Sequence, residues 1–276
     1  MKREQVLRRR LRSEETLSEA VTAMKSLSAH HFRMARRAVQ PAREYRQGVD
    51  RAIDALAFSL PVAPAGVPAV LAVTADRGLC GSYTAQVTRK VIEESARYGF
   101  GKTFCIGRRG VAHLSRGGLT VSQVYPAPAS LSGVTRLLLD AGGHLMREYL
   151  EGEISSVDVV YARFGGVGNF NPVSVRVLPV TSAGRGGPER ISDYVSPGHV
   201  AAVALRELLH CTLYEILIDA LASEHGARLA ATEAAQEWLD DRMTATRRQL
   251  AAVHREASTQ EVLDIAAGAR QRLSRL

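Results

Sequence analysis

Two long helical segments at the ends of this chain constrain its fold more than any other feature. Only Pro41 and Gly48 interrupt the helical pattern over residues 2–60, and residues 198–276 contain no proline at all. At about 1.5 Å per residue, helices of these lengths would reach on the order of 80 and 100 Å. Such rods cannot bury their own apolar faces, so we expect them to pair with each other or to insert into a partner.

Seven-residue repeats run along both segments, as in a left-handed coiled coil. The first segment has two columns, which are Leu17, Met24, His31, Ala38, Tyr45, Ala52 and Val21, Ser28, Ala35, Ala42, Val49, Leu56. The seam of the second segment is Leu209, Leu213, Ile216, Ala220, Ser223, Ala227, Ala230, Ala234, followed after a change of phase by Leu239, Met243, Thr246, Leu250, Val253, Ala257. Because both seams are rich in small residues, we predict that the two helices form an antiparallel coiled coil.

Between these segments, short apolar runs alternate with helical patterns. Strands are predicted at 69–74, 103–106, 119–124, 157–164 and 173–180, and helices at 83–98, 111–115 and 131–150. Such alternation predicts a mostly parallel sheet covered by helices, that is, a Rossmann-like α/β domain. The last two strands are too close for a crossover helix, so they should form an antiparallel hairpin at one edge. The predicted regions are an N-terminal coiled-coil helix (1–60), the α/β domain (67–181), a linker loop (182–197) and a C-terminal coiled-coil helix (198–276).

Composition indicates a soluble globular protein with acidic partners. Hydrophobic residues make up 46% of the chain, charged residues 23%, and the net charge is +8. Residues 1–60 alone hold 13 Lys or Arg against 7 Asp or Glu. No stretch approaches the roughly 20 apolar residues that cross a bilayer, and the start lacks the apolar core of a signal peptide. Three widely spaced cysteines, Cys80, Cys105 and Cys211, fit neither a disulfide framework nor a metal site and are typical of a reducing cytoplasm.

Two glycine-containing turns follow strands and precede helices, where α/β folds often bind phosphates. They read Asp76-Arg77-Gly78-Leu79-Cys80-Gly81 and Gly107-Arg108-Arg109-Gly110. Neither has the spacing of a dinucleotide fingerprint or of a P-loop. We interpret both as tight turns, with Asp76 available to cap free helix amides and the two arginines in solvent. A phosphate site is the alternative.

The sequence predicts no catalytic residue, no cofactor and no metal ion. His30 and His31 are adjacent and therefore point about 100° apart on a helix, which suits no chelate. Cys80 has no histidine or other base placed beside it. Glu14 and Glu15 resemble a helix face that offsets upstream arginines rather than a pair of acids for catalysis.

Several short motifs stand in a fixed order along the chain. They are 23–33 with Met24, Lys25 and Arg33; 74–81 with Asp76, Arg77 and Cys80; 106–110; Phe164, Asn169 and Leu178-Pro179; 222–228 with Glu224 and Arg228; and 259–269 with Thr259, Gln260 and Glu261. In this order and at these separations they resemble the gamma subunit of F-type ATP synthases, the central rotor shaft. The resemblance runs nearly from end to end.

The resemblance implies that the paired helices turn inside a ring of alternating alpha and beta subunits, whose sites carry out the ATP chemistry. The α/β domain would lie at the base, against the epsilon subunit and the membrane c-ring, on the cytoplasmic face of the plasma membrane. No nucleic acid and no direct membrane insertion are expected. The residues expected to contact partners are those named in the motifs, together with His254 and Arg255. Whether protons or sodium ions drive rotation stays open.

Some positions depart from the family's pattern. This chain has His31 where the family usually has a lysine, and the family's asparagine near Ala251 is missing. It also has His254-Arg255 in place of an Arg-Gln pair and Ser258 in place of an isoleucine. One hypothesis is a divergent paralogue from an alternative F-type ATPase. Two other readings of the chain are a nucleotide-dependent α/β enzyme with helical arms and a nucleic-acid-binding coiled coil that uses its basic N-terminal helix. The latter predicts steeply salt-dependent DNA binding.

Overall fold

The computed structural model describes residues 2–56, 65–179 and 197–273. The helices are α1 (Lys2–Leu56), α2 (Tyr83–Tyr98), α3 (Arg108–Arg116), α4 (Leu131–Leu137), α5 (Gly143–Leu150) and α6 (Pro197–Leu273). The strands are β1 (Val67–Val73), β2 (Lys102–Ile106), β3 (Val121–Tyr125), β4 (Ile154–Gly166) and β5 (Asn169–Leu178). The predicted linker loop lies outside the described residues except at its last position, Pro197, where α6 begins.

A five-stranded sheet in the order β3-β2-β1-β4-β5 forms the centre of the α/β region. β1 pairs in parallel with β2 and β4, β2 pairs in parallel with β3, and β5 is antiparallel to β4 at one edge. The predicted α/β fold class and its edge hairpin are therefore confirmed. The hairpin loop is shorter than the segment 165–172 that separates the two predicted strands, because Gly166 already pairs with Asn169 across a tight turn in which Gly168 has φ 69°.

Alternate residues of β1 belong to two different cores. Leu71 and Val73 pack in a cluster with residues of β2, α4, α5 and α6, whereas Val70 and Ala72 pack with the apolar face of α2. Successive strand residues point to opposite faces of a sheet. Both faces are thus covered, which explains why the sequence of β1 is continuously apolar.

The predicted helix 131–150 contains one irregular turn. A π-helical turn at Leu138–Gly142 separates α4 from α5. At Gly142 an added Cβ would lie 3.5 Å from Leu213 of α6, so the turn packs closely against that helix. Period-based reasoning cannot detect such a turn, because it depends on this packing rather than on the local pattern.

The chain divides into two compact units, Met1–Ser26 with Thr232–Leu276 and Leu27–Ala231. In the first unit Lys25 pairs with Glu233 at 3.0 Å and Thr22 donates to Gln236 at 2.8 Å. Further along, Glu15 pairs with Arg247 at 3.1 Å. As the residue number decreases along α1, the residue number of its partner on α6 increases. The predicted antiparallel pairing of α1 and α6 is therefore confirmed in this unit. Within the second unit, Arg43 pairs with Asp219 at 2.9 Å and Arg46 pairs with Glu215, which is also an antiparallel order.

The predicted column that begins at Val21 is confirmed at Val21, Ser28, Ala35 and Ala42, which are buried, whereas Val49 is half-buried. In the first unit Leu7 and Glu14 extend this column towards the start of α1.

The column that begins at Leu17 is confirmed only in part, since Met24, His31 and Ala38 are half-buried. Two of its members, Leu17 and Tyr45, are 56% and 58% exposed. Phe32 and Val39, one position further along, are buried instead. Phe32 fits because Gly226 of α6 has no side chain, and its ring packs 5.8 Å from that of Phe164.

The seam of α6 also differs from the prediction. Residues 216–228 are buried on every side of the helix. Ala234 is exposed, whereas Thr232 is fully buried and Leu239, Met243 and Thr246 follow it in the interior of the first unit. The change of phase therefore lies between Ala227 and Thr232 rather than after Ala234.

Candidate functional site

The second unit contains the crevice in which doubly wound sheets usually bind a ligand. Such a crevice forms at the carboxyl ends of two neighbouring strands from which the chain continues towards opposite edges of the sheet. In this sheet the two strands are β1 and β4, because β2 and β3 lie on one side of β1 and β4 lies on its other side. α6 occupies this place: the hydroxyl of Ser223 donates to the carbonyl oxygen of Ala162 in β4 at 2.9 Å. Tyr83, the first residue of α2, also contacts α6: its hydroxyl donates to the carbonyl oxygen of Ala220 at 3.3 Å.

Arg228 joins α6 to the turn that follows β1. Its Nε donates to the carbonyl oxygen of Gly78 at 3.1 Å, and its Nη2 donates to the carbonyl oxygen of Arg77 at 3.3 Å. The same Nη2 donates to Oε1 of Glu224 at 2.5 Å. The residue is only 3% exposed. A buried guanidinium is tolerated because its charge is paired and its donors have acceptors.

Glu224 is the buried carboxylate of this cluster. Burial raises its pKa, while the charge and hydrogen bond of Arg228 act in the opposite direction. One turn further towards the start of α6, Asp219 is also buried and accepts two hydrogen bonds from Arg43 of α1 at 2.9 and 3.0 Å. Asp219 thus holds α6 to α1, whereas Glu224 neutralises the arginine that joins α6 to the turn after β1.

Two histidines lie against the same cluster and are neutral at pH 7. The rings of His31 and His225 are 5.1 Å apart. Burial lowers the pKa of His225 to about 3, with further contributions from the charges of Arg228 and His31. Burial also lowers the pKa of His31, as do the charges of His30 and Arg77. The contact between the two rings therefore adds no positive charge to the site.

The second candidate phosphate site, at the start of α3, has no free amides. The backbone N–H of Arg108 donates to Oδ1 of Asp76 at 2.8 Å. The next amides, of Arg109 and Gly110, donate to the carbonyl oxygens of Ala75 and Gly107 at 3.1 and 3.2 Å. Asp76 thus caps α3, and not the helix that directly follows its own turn. Arg108 and Arg109 are exposed, in agreement with a solvated turn.

Cys80 is 5% exposed, and its sulfur lies 3.8 Å from the carbonyl oxygen of Arg77. Among the residues that the structure describes, no group of three or more His, Cys, Asp or Glu is arranged to hold a metal ion. The contacts of Ser223 and Arg228 with β4 and with the turn after β1, together with the neighbouring Glu224 and His225, form an internal junction between α6 and the sheet.

Comparison with known proteins identifies the family. Residues 3–271 match the family model described as ATP synthase. The chain belongs to this family. Among its relatives, the ATP synthase gamma chain of Pelotomaculum thermopropionicum is 28% identical over 278 residues, covering 95% of this chain and 96% of that protein. The ATP synthase gamma chain of a Roseiflexus species is 31% identical over 292 residues, with 95% and 96% coverage.

Solved structures share the fold of this ATP synthase family member. One chain of the Euglena gracilis mitochondrial ATP synthase, solved with OSCP, F1 and the c-ring, gives a TM-score of 0.68 at 14% identity and covers 96% of this chain and 92% of that chain. A chain of the Tetrahymena thermophila central stalk and c-ring gives 0.58 at 17% identity, with 78% and 99% coverage. No helix in the described ranges is long and apolar enough to cross a membrane.

The residues predicted to contact partners fall into two groups in this ATP synthase family member. Cys80, Glu224 and Arg228 are buried, and their contacts are with the chain's own fold. The other group is exposed or half-buried and lies on the helices and on the turn after β1, namely Met24, Lys25, Arg33, Asp76, Arg77, His254, Arg255, Thr259, Gln260 and Glu261.

The sequence did not predict that four further residues attach α6 to the rest of the second unit. They are Ser223, Tyr83, Arg43 and Asp219. The available signal was Asp219, which is a carboxylate inside the apolar run 216–222. A charged residue within such a run is almost never buried without a partner.

Proposed function

We propose that this chain is the central-stalk rotor subunit of an F-type ATP synthase. In this role it couples rotation, driven by ion flow through the membrane sector, to ATP synthesis or hydrolysis in a catalytic ring. The family match over residues 3–271 carries this proposal, together with the antiparallel pairing of α1 and α6 in each unit. A rotor needs a stiff helical pair and a surface that slides against its surroundings.

The chain itself is proposed to be non-catalytic. The place where a doubly wound sheet would bind a nucleotide holds Ser223 and Arg228 of α6, and the amides at the start of α3 are used by Asp76 and by backbone carbonyls. Both observations favour a supporting role over the nucleotide-dependent enzyme considered from the sequence. The ATP chemistry would belong to partner subunits.

The exposed residues suggest where the ring would touch the shaft. The proposed contacts with the alpha and beta subunits are Met24, Lys25, Arg33, His254, Arg255, Thr259, Gln260 and Glu261. Towards the end of α6 the large apolar residues Val262, Leu263 and Ile265 are exposed as well. Exposed apolar residues at this end suit a sleeve inside a ring, whereas the basic Arg33, Arg36 and Arg37 suit acidic segments of a partner.

The α/β region is proposed to contact the epsilon subunit and the c-ring. Its exposed arginines include Arg77, Arg108 and Arg109, which stand beside Asp76. In this arrangement the subunit would be peripheral, on the cytoplasmic face of the plasma membrane, and held there by its partners.

The test is reconstitution of the chain with the alpha and beta subunits of its own host. We expect a stable complex whose ATP hydrolysis turns a bead attached to the α/β region. Replacing Thr259, Gln260 and Glu261 by alanine should lower the rotation rate or torque, because these exposed residues lie in the proposed contact.

The matched control is Arg89→Ala with Glu93→Ala, which alters exposed residues of α2 outside the proposed contact with the ring. This variant should rotate like the unmodified chain. Failure of the ring subunits to copurify with the chain from its host would overturn the proposal.

A further inference from the structure

A carboxylate stands in the buried column of α1 in the first unit. Glu14 lies between Leu7 and Val21 in that column and is only 5% exposed. Its Oε1 accepts a hydrogen bond from Nε of Arg10 at 3.0 Å, and Nε of Arg242 lies 3.3 Å from the same oxygen. Its Oε2 is buried and has no hydrogen-bond partner among the described residues.

The residue that faces this carboxylate on α6 is also polar. Thr246 is 1% exposed, and its side chain is near enough to Glu14 to help lower the pKa of that carboxyl. It follows the buried apolar residues Leu239 and Met243 in the α6 seam. A polar residue of one helix therefore meets a polar residue of the other at the same level of the pair.

The carboxylate stays ionised although it is buried. Burial alone would raise its pKa, but the hydrogen bond and charge of Arg10, the nearby Thr246 side chain and the charge of Arg242 lower it overall. Replacing a buried ionic group by apolar residues of similar volume is often neutral or stabilising in proteins. An apolar side chain could therefore fill the position of Glu14 without loss of stability, so the carboxylate must have another role.

The alignment of the two helices supplies that explanation. If α1 moved by one heptad along α6, Glu14 would face position 239 or position 253 instead of Thr246. Both positions hold apolar residues, Leu239 and Val253. The same shifts would move Leu7 from Val253 to Thr246 or Gln260, and Val21 from Leu239 to Thr232 or Thr246. These mismatches are milder than that of Glu14, because a threonine or glutamine side chain carries no charge.

We propose that Glu14, together with Arg242 and Thr246, fixes the axial register of α1 on α6 in the first unit, and that it does so at a cost in stability. A single buried polar residue specifies register in parallel coiled coils by the same principle. The exposed pairs of this unit, such as Lys25 with Glu233, contribute less because solvent screens them. The proposal concerns pairing within this unit and does not depend on the proposed rotor function.

Disulfide trapping in the full chain tests the register directly. Cysteines at positions 15 and 247 report the observed alignment, because Glu15 and Arg247 are in contact at 3.1 Å. Cysteines at 15 and 240, or at 15 and 254, report a shift of one heptad in either direction. In the otherwise unmodified chain the first pair should form at least about tenfold more disulfide than the other two, since a shifted register leaves a buried charge facing apolar residues.

The decisive variant is Glu14→Leu combined with Thr246→Leu. We expect the disulfide yield of a shifted pair to rise by about fivefold or more, and the thermal midpoint to stay equal or to rise. Glu14→Gln keeps a polar side chain of the same size and should remain in the observed register. If the double leucine variant does not fold, as judged by far-UV circular dichroism, the proposed cost in stability is wrong. Glu14→Gln then tests the register alone, and a rise in the yield of its shifted pairs would contradict that part as well.

The matched control is Lys25→Leu with Glu233→Leu, which removes an exposed ion pair between the same two helices. It should leave all three disulfide yields unchanged. The proposal fails if the leucine variant keeps the shifted pairs at their original yield, or if it melts at a clearly lower temperature. It also fails if the control and the leucine variant shift to the same degree.

Discussion

The guanidinium of Arg228 donates to the carbonyl oxygen of Gly78 at 3.1 Å, which ties α6 to the turn that ends β1. The crevice of the parallel sheet is thereby filled by the chain's own helix. In a doubly wound enzyme the same position is left open for a ligand. In this chain the crevice anchors α6 to the sheet instead of binding a ligand. Such an anchor suits a subunit that transmits force through its helices.

Arg228→Met should strongly destabilise the second unit. The substitution keeps most of the side-chain volume but leaves Glu224 buried without its cation, and removing one partner of a buried ion pair costs about 3–5 kcal/mol. Urea denaturation followed by circular dichroism measures this free energy of unfolding. Arg108→Met is the matched control, because the Arg108 side chain is 78% exposed and its guanidinium lies 3.6 Å from Asp76. A loss of similar size in both variants would contradict the assignment of Arg228 as the buried link.

His225 should make the stability of the chain depend on pH. Its folded pKa of about 3 lies below the ordinary value of 6.5, so the unfolded state binds the proton more readily. Stability is therefore fully present above pH 6.5 and is lost as pH falls towards 3. At pH 5 the expected loss from this group is about 1–2 kcal/mol relative to pH 7.

The comparison of unfolding free energies at pH 7 and pH 5 tests this expectation. His225→Gln should remove that share of the pH dependence, whereas His254→Gln, at an exposed position, should retain it. If the unmodified chain and His225→Gln lose equal stability between these pH values, His225 is not the neutral buried group described above.

Much of the secondary structure could be predicted because its signals are local. The predicted bounds of α2 agree with the structure, since Tyr83, Val87 and Val91 repeat every four residues and Gly99 ends the helix with φ 64°. The mostly parallel sheet and its antiparallel edge hairpin followed from the alternation of strands and helices and from the short connection between the last two strands. These features depend on neighbouring residues, which the sequence displays directly.

The junction could not be predicted in the same way, because its contacts are distant in sequence. Arg228 and Gly78 are 150 positions apart, and nothing local in either segment indicates the other. The second column of α1 was predicted one position too early at Phe32 and Val39 for a similar reason. A heptad pattern does not say that Phe32 can enter the seam, since that depends on Gly226 of the other helix.

Phe32→Ala should reveal which column of α1 is buried. Phe32 is 5% exposed and packs on Phe164, so its truncation should cost about 3–5 kcal/mol. Met34→Ala removes a side chain that is 43% exposed on the same helix and should change stability by less than about 1 kcal/mol. Equal effects of the two substitutions on the urea midpoint would contradict the observed seam.

Gly110→Ala should damage the start of α3, where the backbone passes very close to β1 and β2. An added Cβ would lie 2.4 Å from Oγ1 of Thr74 and 2.8 Å from the sulfur of Cys105. Thr74 cannot easily turn away, because its hydroxyl donates to the carbonyl oxygen of Ile106 at 2.7 Å. We expect a loss of about 1–3 kcal/mol, as for other overpacked sites.

Gly143→Ala is the matched control for that substitution. Gly143 is helical and has no atom within 4 Å of an added Cβ, so alanine should raise stability by about 0.5–1 kcal/mol through its better helix propensity. Thermal denaturation of the two variants should therefore move the midpoint in opposite directions. A Gly110→Ala protein that melts at or above the temperature of the unmodified chain would show that α3 can move away from β1, and that the capping of Arg108 by Asp76 does not hold it there.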